Sequence, residues 1–217
     1  MTPELDYLTR YRWGRNVKNN SRNRKKILHQ GWKSLPEGSE YSIKQWYLPK
    51  KAYSFDGRNL TISNCIVVSA ESKSLSDAIS KALSRKRPTV RIRIIDGNTA
   101  WLTIKGKTKN YARIELEWPI DIDEAKATVE SNGWPNVEKI RRYIDTDGLT
   151  WEVDRFLGDN EGLWLAEIEI PSIDTKFKTP SWVNREVSHI SQLSSHKLAK
   201  KPFTTWGKGL ISRALYD

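Results

Sequence analysis

From Pro88 onward, apolar and polar residues alternate with a period of two in "TVRIRI", "AWLTIKGK" and "YARIELEWPI", and turn-like segments such as Asp96-Gly97-Asn98 separate these runs. Such alternation sends successive side chains to opposite faces and predicts antiparallel strands. Three later runs, "NVEKIRRYID", "LTWEVDRFLG" and "LWLAEIEI", repeat the pattern, with turns at 145–148 and 158–162. Upstream, "YSIKQWYL" at 41–48 reads as a strand, and residues 49–88 hold a second, β-branched one in "NCIVVS". Helical spacing appears in "SLSDAISKALSRKR", where Leu75, Ala78, Ile79, Ala82 and Leu83 share a face and Ser74 or Ser76 serves as N-cap. A second helix is expected at about 121–132, begun among Asp121 and Asp123 and stopped by Gly133. A last one is expected near "PSWVNREVS", capped by Ser181. The fold class is therefore α+β, mainly antiparallel β.

The charges obey the same period. Arg91 and Arg93 share a face, as do Lys105 and Lys107, then Arg113, Glu115 and Glu117, then Lys139 and Arg141, then Glu152 and Asp154, then Glu167 and Glu169. Apolar residues hold the opposite faces, among them Val90, Ile92, Ile94, Ile114, Leu116, Val153, Ile168 and Ile170. Two arrangements fit. In the plainer one, each charged face lies in water, as in an open antiparallel sheet. In the other, helices cover the apolar faces from outside and a closed sheet turns the charges inward; that interior must be hydrated and ligand-filled, because unpaired buried charges are too costly. A basic row beside acidic rows suits a polyphosphate with bound metal, since Arg and Lys bind phosphate oxygens and carboxylates hold the cation.

Composition narrows the partners. The formal net charge of +11 points to an anionic partner without naming it. One cysteine and three histidines rule out an internal disulfide and a zinc constellation of recognised spacing, so any metal is expected on carboxylates, which favours magnesium or manganese. No apolar run approaches a membrane span and no leader pattern opens the chain, so a cytoplasmic protein is expected. Residues 1–26 carry eight basic and two acidic residues, and "NVKNNSRN" within them has Val17 as its one apolar side chain. Residues 1–21 are therefore expected to form an arm or an added turn.

The ordered set "IKQWYL", "TVRIRI", "AWLTIKGK", "ARIELEWPI", "VEKIRRY", "WEVDRFLG", "LAEIEI" and "PSWVNREVS" resembles the CYTH superfamily, the triphosphate tunnel metalloenzymes, over residues 22–200. The resemblance implies an eight-stranded closed antiparallel tunnel with a charged interior and helices outside, an inserted segment at 49–88 and a tail at 201–217. It also implies a triphosphate ligand. Known members hydrolyse inorganic or thiamine triphosphate, remove the terminal phosphate of RNA 5′ ends, or cyclise ATP. Carried over by position, Arg91, Arg93, Lys105, Lys139 and Arg141, with Arg113 beside them, become phosphate clamps. Glu115 and Glu117 face the metal and its waters, Glu167 and Glu169 are metal-directed, and Glu152 and Asp154 hold metal or orient the clamp.

One departure stands at the family's first strand, Glu-x-Glu-x-Lys. Aligning "KKIL" with that motif puts Lys26 on its lysine but Arg22 and Arg24 on its glutamates. A rival register uses Glu4 and Asp6, with Leu8 where the lysine belongs. Arginine cannot ligate a cation, yet it can hold a phosphate. Three functions stay open: a metal-dependent triphosphatase with Glu115, Glu117 and Lys26 at the reacting phosphoryl group, or in its cyclase version a maker of cyclic AMP; a nucleotide or polyphosphate binder in which arginines replace the metal; and, less favoured, a nucleic-acid binder. The many acids on inward-predicted faces favour the enzyme.

Overall fold

The computed structural model describes residues 9–15, 32–84, 88–109, 112–170, 175–183 and 185–207, with the side chains at 9–15, 106–109, 112–114, 169 and 185 outside that description. In chain order the strands are β1 (Thr9–Arg15), β2 (Ser39–Tyr47), β3 (Tyr53–Phe55), β4 (Asn59–Ile62), β5 (Ile66–Ser69), β6 (Thr89–Ile95), β7 (Thr99–Lys109), β8 (Ala112–Ile120), β9 (Asn136–Thr146), β10 (Leu149–Phe156), β11 (Trp164–Ile170) and β12 (Arg185–Glu186). The helices are α1 (Lys73–Leu83), α2 (Ile122–Asn132) and α3 (Ser195–Lys200). No helix among the described residues is long and apolar enough to cross a membrane. The chain divides into two compact units, one built on Ile43–Asn136 and the other on the described parts of Thr9–Ser42 and Val137–Asp217.

In the first unit, β2, β6, β7 and β8 pair antiparallel in that order, and β3, β4 and β5 form a separate small sheet. The even-numbered residues Trp46, Val90, Ile92, Ile94, Leu102, Ile104, Leu116 and Trp118 build one apolar face. Over it pack Ile79, Ala82 and Leu83 of α1, Ala125 and Val129 of α2, and Leu60, Ile62, Ile66 and Val68 of the small sheet. The described residues of the 49–88 segment thus contribute to this unit's core. Two local signals fix its helices. The Ser72 hydroxyl accepts from the Leu75 amide, which moves the α1 cap ahead of the expected Ser74 or Ser76; the Ser76 hydroxyl instead donates to the Gly57 carbonyl at 2.6 Å. The Asp121 carboxylate caps α2 by accepting from the Asp123 and Glu124 amides, and the chain leaves that helix through Gly133 at φ 58°.

In the second unit the antiparallel order is β12, β1, β11, β10, β9. Its apolar face carries Ile144, Trp151, Val153, Trp164, Ala166, Ile168 and Ile170, with Trp32 and Leu35 packed on it. Arg142 lies on this face and staples the 32–40 segment: its guanidinium donates to Glu40 and to the carbonyls of Trp32, Leu35 and Pro36, and it stacks 4.7 Å from the Trp32 ring. Gly38 fits beneath that staple because it lacks a side chain; a Cβ there would sit 1.9 Å from the Tyr143 carbonyl oxygen. Gly38→Ala will therefore destabilise the protein by about 1–3 kcal/mol, lowering the melting temperature by several degrees in calorimetry, and an unchanged melting temperature would refute this packing.

No strand pairing among the described residues closes either sheet on itself. Three sequence expectations need comment. Strand β1 occupies Thr9–Arg15, inside the stretch expected to be an arm. The strand expected at 22–28, with Arg22, Arg24 and Lys26, lies outside the described residues, as do Glu4 and Asp6 of the rival register. The helix expected in "PSWVNREVS" is absent among the described residues of that stretch: the Val183 amide donates to the Pro180 carbonyl in a turn, and Arg185–Glu186 form β12. Trp182 stacks edge-on against Trp151 at 5.5 Å, and Phe177 joins the same ring at 6.1 Å. Those aromatic contacts hold the segment against the sheet and override its helical pattern.

Candidate functional site

The charged faces are largely withdrawn from water. Arg91 is 5% exposed, Lys139 4%, Arg141 3%, Asp154 2% and Glu167 5%, so the arrangement in which these faces are solvated is overturned. Buried charges must be paired, and each unit pairs them across its strands.

In the first unit, strand register sets Tyr47, Arg91, Thr103 and Glu117 in one cross-strand row and Thr89, Lys105 and Glu115 in the next. The Arg91 guanidinium spreads over four side chains. Its Nε donates to the Thr103 hydroxyl at 3.2 Å, Nη1 reaches the Gln45 carbonyl oxygen at 3.5 Å, and Nη2 is shared between Glu115 and Glu117 at 3.2 Å each. Lys105 Nζ donates to Glu115 at 2.7 Å, and the Gln45 amide donates to the Tyr47 hydroxyl at 2.8 Å. Burial pushes the Glu117 carboxyl up, but the charges of Arg93 and Arg91 and the Thr103 hydrogen bond outweigh it and hold the group below the usual carboxylate range. The expected residues Arg91, Arg93, Lys105, Glu115 and Glu117 are thus brought together. Arg113 is fixed by its backbone alone, opposite Thr108, beyond an irregularity in the β7–β8 register.

In the second unit, Asp154 is the hub. Its Oδ1 accepts from Arg141 Nε at 2.7 Å, and its Oδ2 accepts from Arg141 Nη2 at 2.8 Å and from Lys139 Nζ at 2.6 Å. Arg141 also pairs with Glu152 through Nη1 and lies 3.9 Å from the Glu167 carboxylate. Glu152 and Glu167 stand directly opposite each other across β10 and β11. Two carboxylates so placed repel, and the Arg141 guanidinium between them offsets that repulsion. Burial acts against the Arg141 charge, yet Asp154 and Glu152 raise its pKa well above the ordinary value. Burial likewise raises Asp154, and Arg141 and Lys139 more than reverse it, so this carboxyl titrates below its usual range.

Lys139 moves the other way. Burial first, and the Arg141 charge second, push its ammonium down to about 8 despite Asp154 and Glu167. The charge is present at neutral pH and lost as pH rises through about 8. Because the unfolded chain still binds that proton up to its ordinary 10.5, the contribution of Lys139 to stability rises with pH across that window while its value as an anion ligand falls.

Strand β1 sets Arg12 opposite Glu167 and Arg10 opposite Glu169 in backbone register. This Arg-x-Arg pair beside the acidic strand is written in "TRYRW", within the stretch whose composition predicts an arm, while Thr103 and Gln45 carry only the signal of polar residues on the face of Lys105 and Tyr47. Among the described residues, no three of His, Cys, Asp and Glu converge as a metal-holding group.

Comparison with known proteins adds three likenesses. A family model described as CYTH domain matches residues 77–203. An inorganic triphosphatase of Acetivibrio thermocellus is 40% identical over 119 residues, which are 54% of this chain and 76% of that protein. The crystal structure of the inorganic triphosphatase NE1496 aligns with a TM-score of 0.51 at 18% identity over 90% of this chain and 95% of that one; at that identity the likeness speaks to the fold.

Proposed function

The chain belongs to the CYTH domain family, and on that premise we propose that it hydrolyses a triphosphate, with inorganic triphosphate as the first substrate to test. The observation that carries the reading is the placement of fixed, desolvated cations beside acids on one face of each unit. Such cations stabilise the charge that develops on phosphoryl oxygens without having to reorganise. The 40% identity to an inorganic triphosphatase supports the same substrate class. The closed tunnel implied by the resemblance belongs to this reading and not to the observed pairings.

Each unit offers its own phosphate-binding groups: Arg91, Arg93 and Lys105 in the first, with Arg113 added from the sequence, and Lys139 and Arg141 in the second. Arg22, Arg24 and Lys26 remain part of the proposal on the sequence alignment. Asp154 has its oxygens taken up by Lys139 and Arg141, which suits the orienting role and not that of a metal ligand. Magnesium or manganese needs only one or two carboxylates when phosphate oxygens complete its shell, and the facing pair Glu152 and Glu167 fits that demand. Glu169 beside that pair, or Glu115 and Glu117 in the other unit, would serve in the same way. When bound, the ion would polarise a phosphoryl oxygen and neutralise charge. Glu115 and Glu117 accept from Arg91 and Lys105, so substrate phosphates that draw these cations away leave a carboxylate free to orient water.

The register of β1 favours a second reading. Arg10 and Arg12 alongside Glu169 and Glu167 resemble the charge balance of a binder that uses arginine in place of metal. One assay separates the two. The protein is incubated with inorganic triphosphate, ATP and other nucleoside triphosphates, with magnesium, manganese or a chelator, and all products are resolved. Metal-dependent release of orthophosphate and pyrophosphate from inorganic triphosphate is expected. Tight binding with no product, indifferent to chelator, would overturn the enzyme in favour of the binder.

The pKa of Lys139 gives a further expectation. The kcat/KM for triphosphate will fall as pH rises through about 8, and Lys139→Arg, which cannot lose its charge in this range, will remove that limb. A wild-type profile flat from pH 7 to 9 would show that Lys139 does not titrate in that window as a phosphate ligand.

A further inference from the structure

We propose that Thr103 is a positioning residue that locks the Arg91 guanidinium and the Glu117 carboxylate into one unit; this rests on the triphosphatase reading for its kinetic consequence but not for its geometry. Thr103 lies on β7, next to β6 and β8, and is wholly buried. Its hydroxyl accepts from Arg91 Nε at 3.2 Å and donates to Glu117 Oε1 at 2.5 Å. A hydroxyl has one proton. Since the Arg91 N–H is the donor in the first contact, that proton is committed to Glu117 Oε1.

The consequence is directional. Glu117 carries its own share of Arg91 Nη2 at 3.2 Å, so hydroxyl, guanidinium and carboxylate close a ring of three contacts. The ring fixes which way each group points before ligand arrives, and it keeps Glu117 oriented if phosphate draws the Arg91 fork away. Sequence alone would read this residue as an ordinary β-branched strand former. Yet valine has the same shape and would suit an apolar site better, because a buried hydroxyl is costly unless bonded. The other groups that face Glu117 or its neighbours are Arg91 and Arg93 on β6, Lys105 on β7, Glu115 on β8, and Gln45 with Tyr47 on β2.

The test compares wild type with Thr103→Val and Thr103→Ser. For the valine variant, kcat for inorganic triphosphate is expected to fall about 10- to 100-fold. KM should change by less than about threefold, and the ¹⁵N-labelled Arg91 Nε–H signal, which has lost its acceptor, should shift and exchange faster with water. The serine variant, which restores the hydroxyl but not the methyl group, should recover both kcat and that signal. If serine behaves like valine, the residue acts through packing and the proposal fails; it fails also if valine leaves both kcat and the Arg91 Nε–H signal unchanged. Should valine prevent folding, Thr103→Ala removes the hydroxyl without adding bulk and is read in the same way. A wild-type Arg91 Nε–H that exchanges with water as fast as that of an exposed arginine would overturn the proposal without any variant. Should wild type release no phosphate, the triphosphatase reading falls, and the Arg91 Nε–H signal still decides the role of Thr103.

Discussion

Asp154→Ala will lower the melting temperature by roughly 6–20 °C, equivalent to about 3–5 kcal/mol, because it removes one side of a buried ion cluster and leaves the other in place. The carboxylate accepts three hydrogen bonds from Lys139 and Arg141, and all three side chains are almost fully buried. Without it, Arg141 keeps Glu152 and Glu167, but Lys139 loses its only close acceptor among the hydrogen bonds described. The pH dependence identifies the cause. Asp154 has its pKa depressed, first against burial and then by Arg141 and Lys139, so its contribution to stability is fully present above the unfolded carboxylate value and is lost as pH falls through the folded one. The gap in melting temperature between wild type and variant should therefore be wide at pH 7 and narrow at strongly acidic pH. A shift under about 2 °C at pH 7 would show that the cluster contributes no more than surface ion pairs do.

Arg91→Lys will reduce kcat/KM for inorganic triphosphate by about 10²–10³. The charge survives this exchange, so the loss measures the guanidinium fork. Nε, Nη1 and Nη2 address Thr103, Gln45, Glu115 and Glu117 at once, which a single ammonium cannot do. Lys105 will still hold Glu115, but of the hydrogen bonds described for Glu117 only that from the Thr103 hydroxyl remains, alongside the charge of Arg93. Loss of less than tenfold would mean that charge alone suffices at this position, and that the ordered network belongs to folding and not to phosphate binding.

The strands and the sorting of their faces were legible because side-chain direction in a strand is fixed by the backbone, residue by residue. Arg91, Glu115, Glu117, Lys139, Arg141, Asp154 and Glu167 all fall on the face that alternation assigned them. Chain ends and caps were less legible. Three serines stand at alternate positions before and in α1, and the one that caps it, Ser72, is decided partly by the contact of Ser76 with Gly57, 19 residues away. The "PSWVNREVS" segment has helix-like local chemistry, but Trp182 and Phe177 gain more by stacking on Trp151 from another part of the unit.

The sequence by itself determined the α+β class, the period-two strands, the family and the candidate charges, since each follows from local spacing or from ordered motifs. Only the tertiary structure decided which of those charges are buried and which partner each buried one takes. Desolvation depends on what packs over a face, and pairing depends on strand register; neither is written into any single run of residues. Register is what turns Asp154 into the partner of Lys139 and Arg141, and what places the unremarkable Thr103 between Arg91 and Glu117.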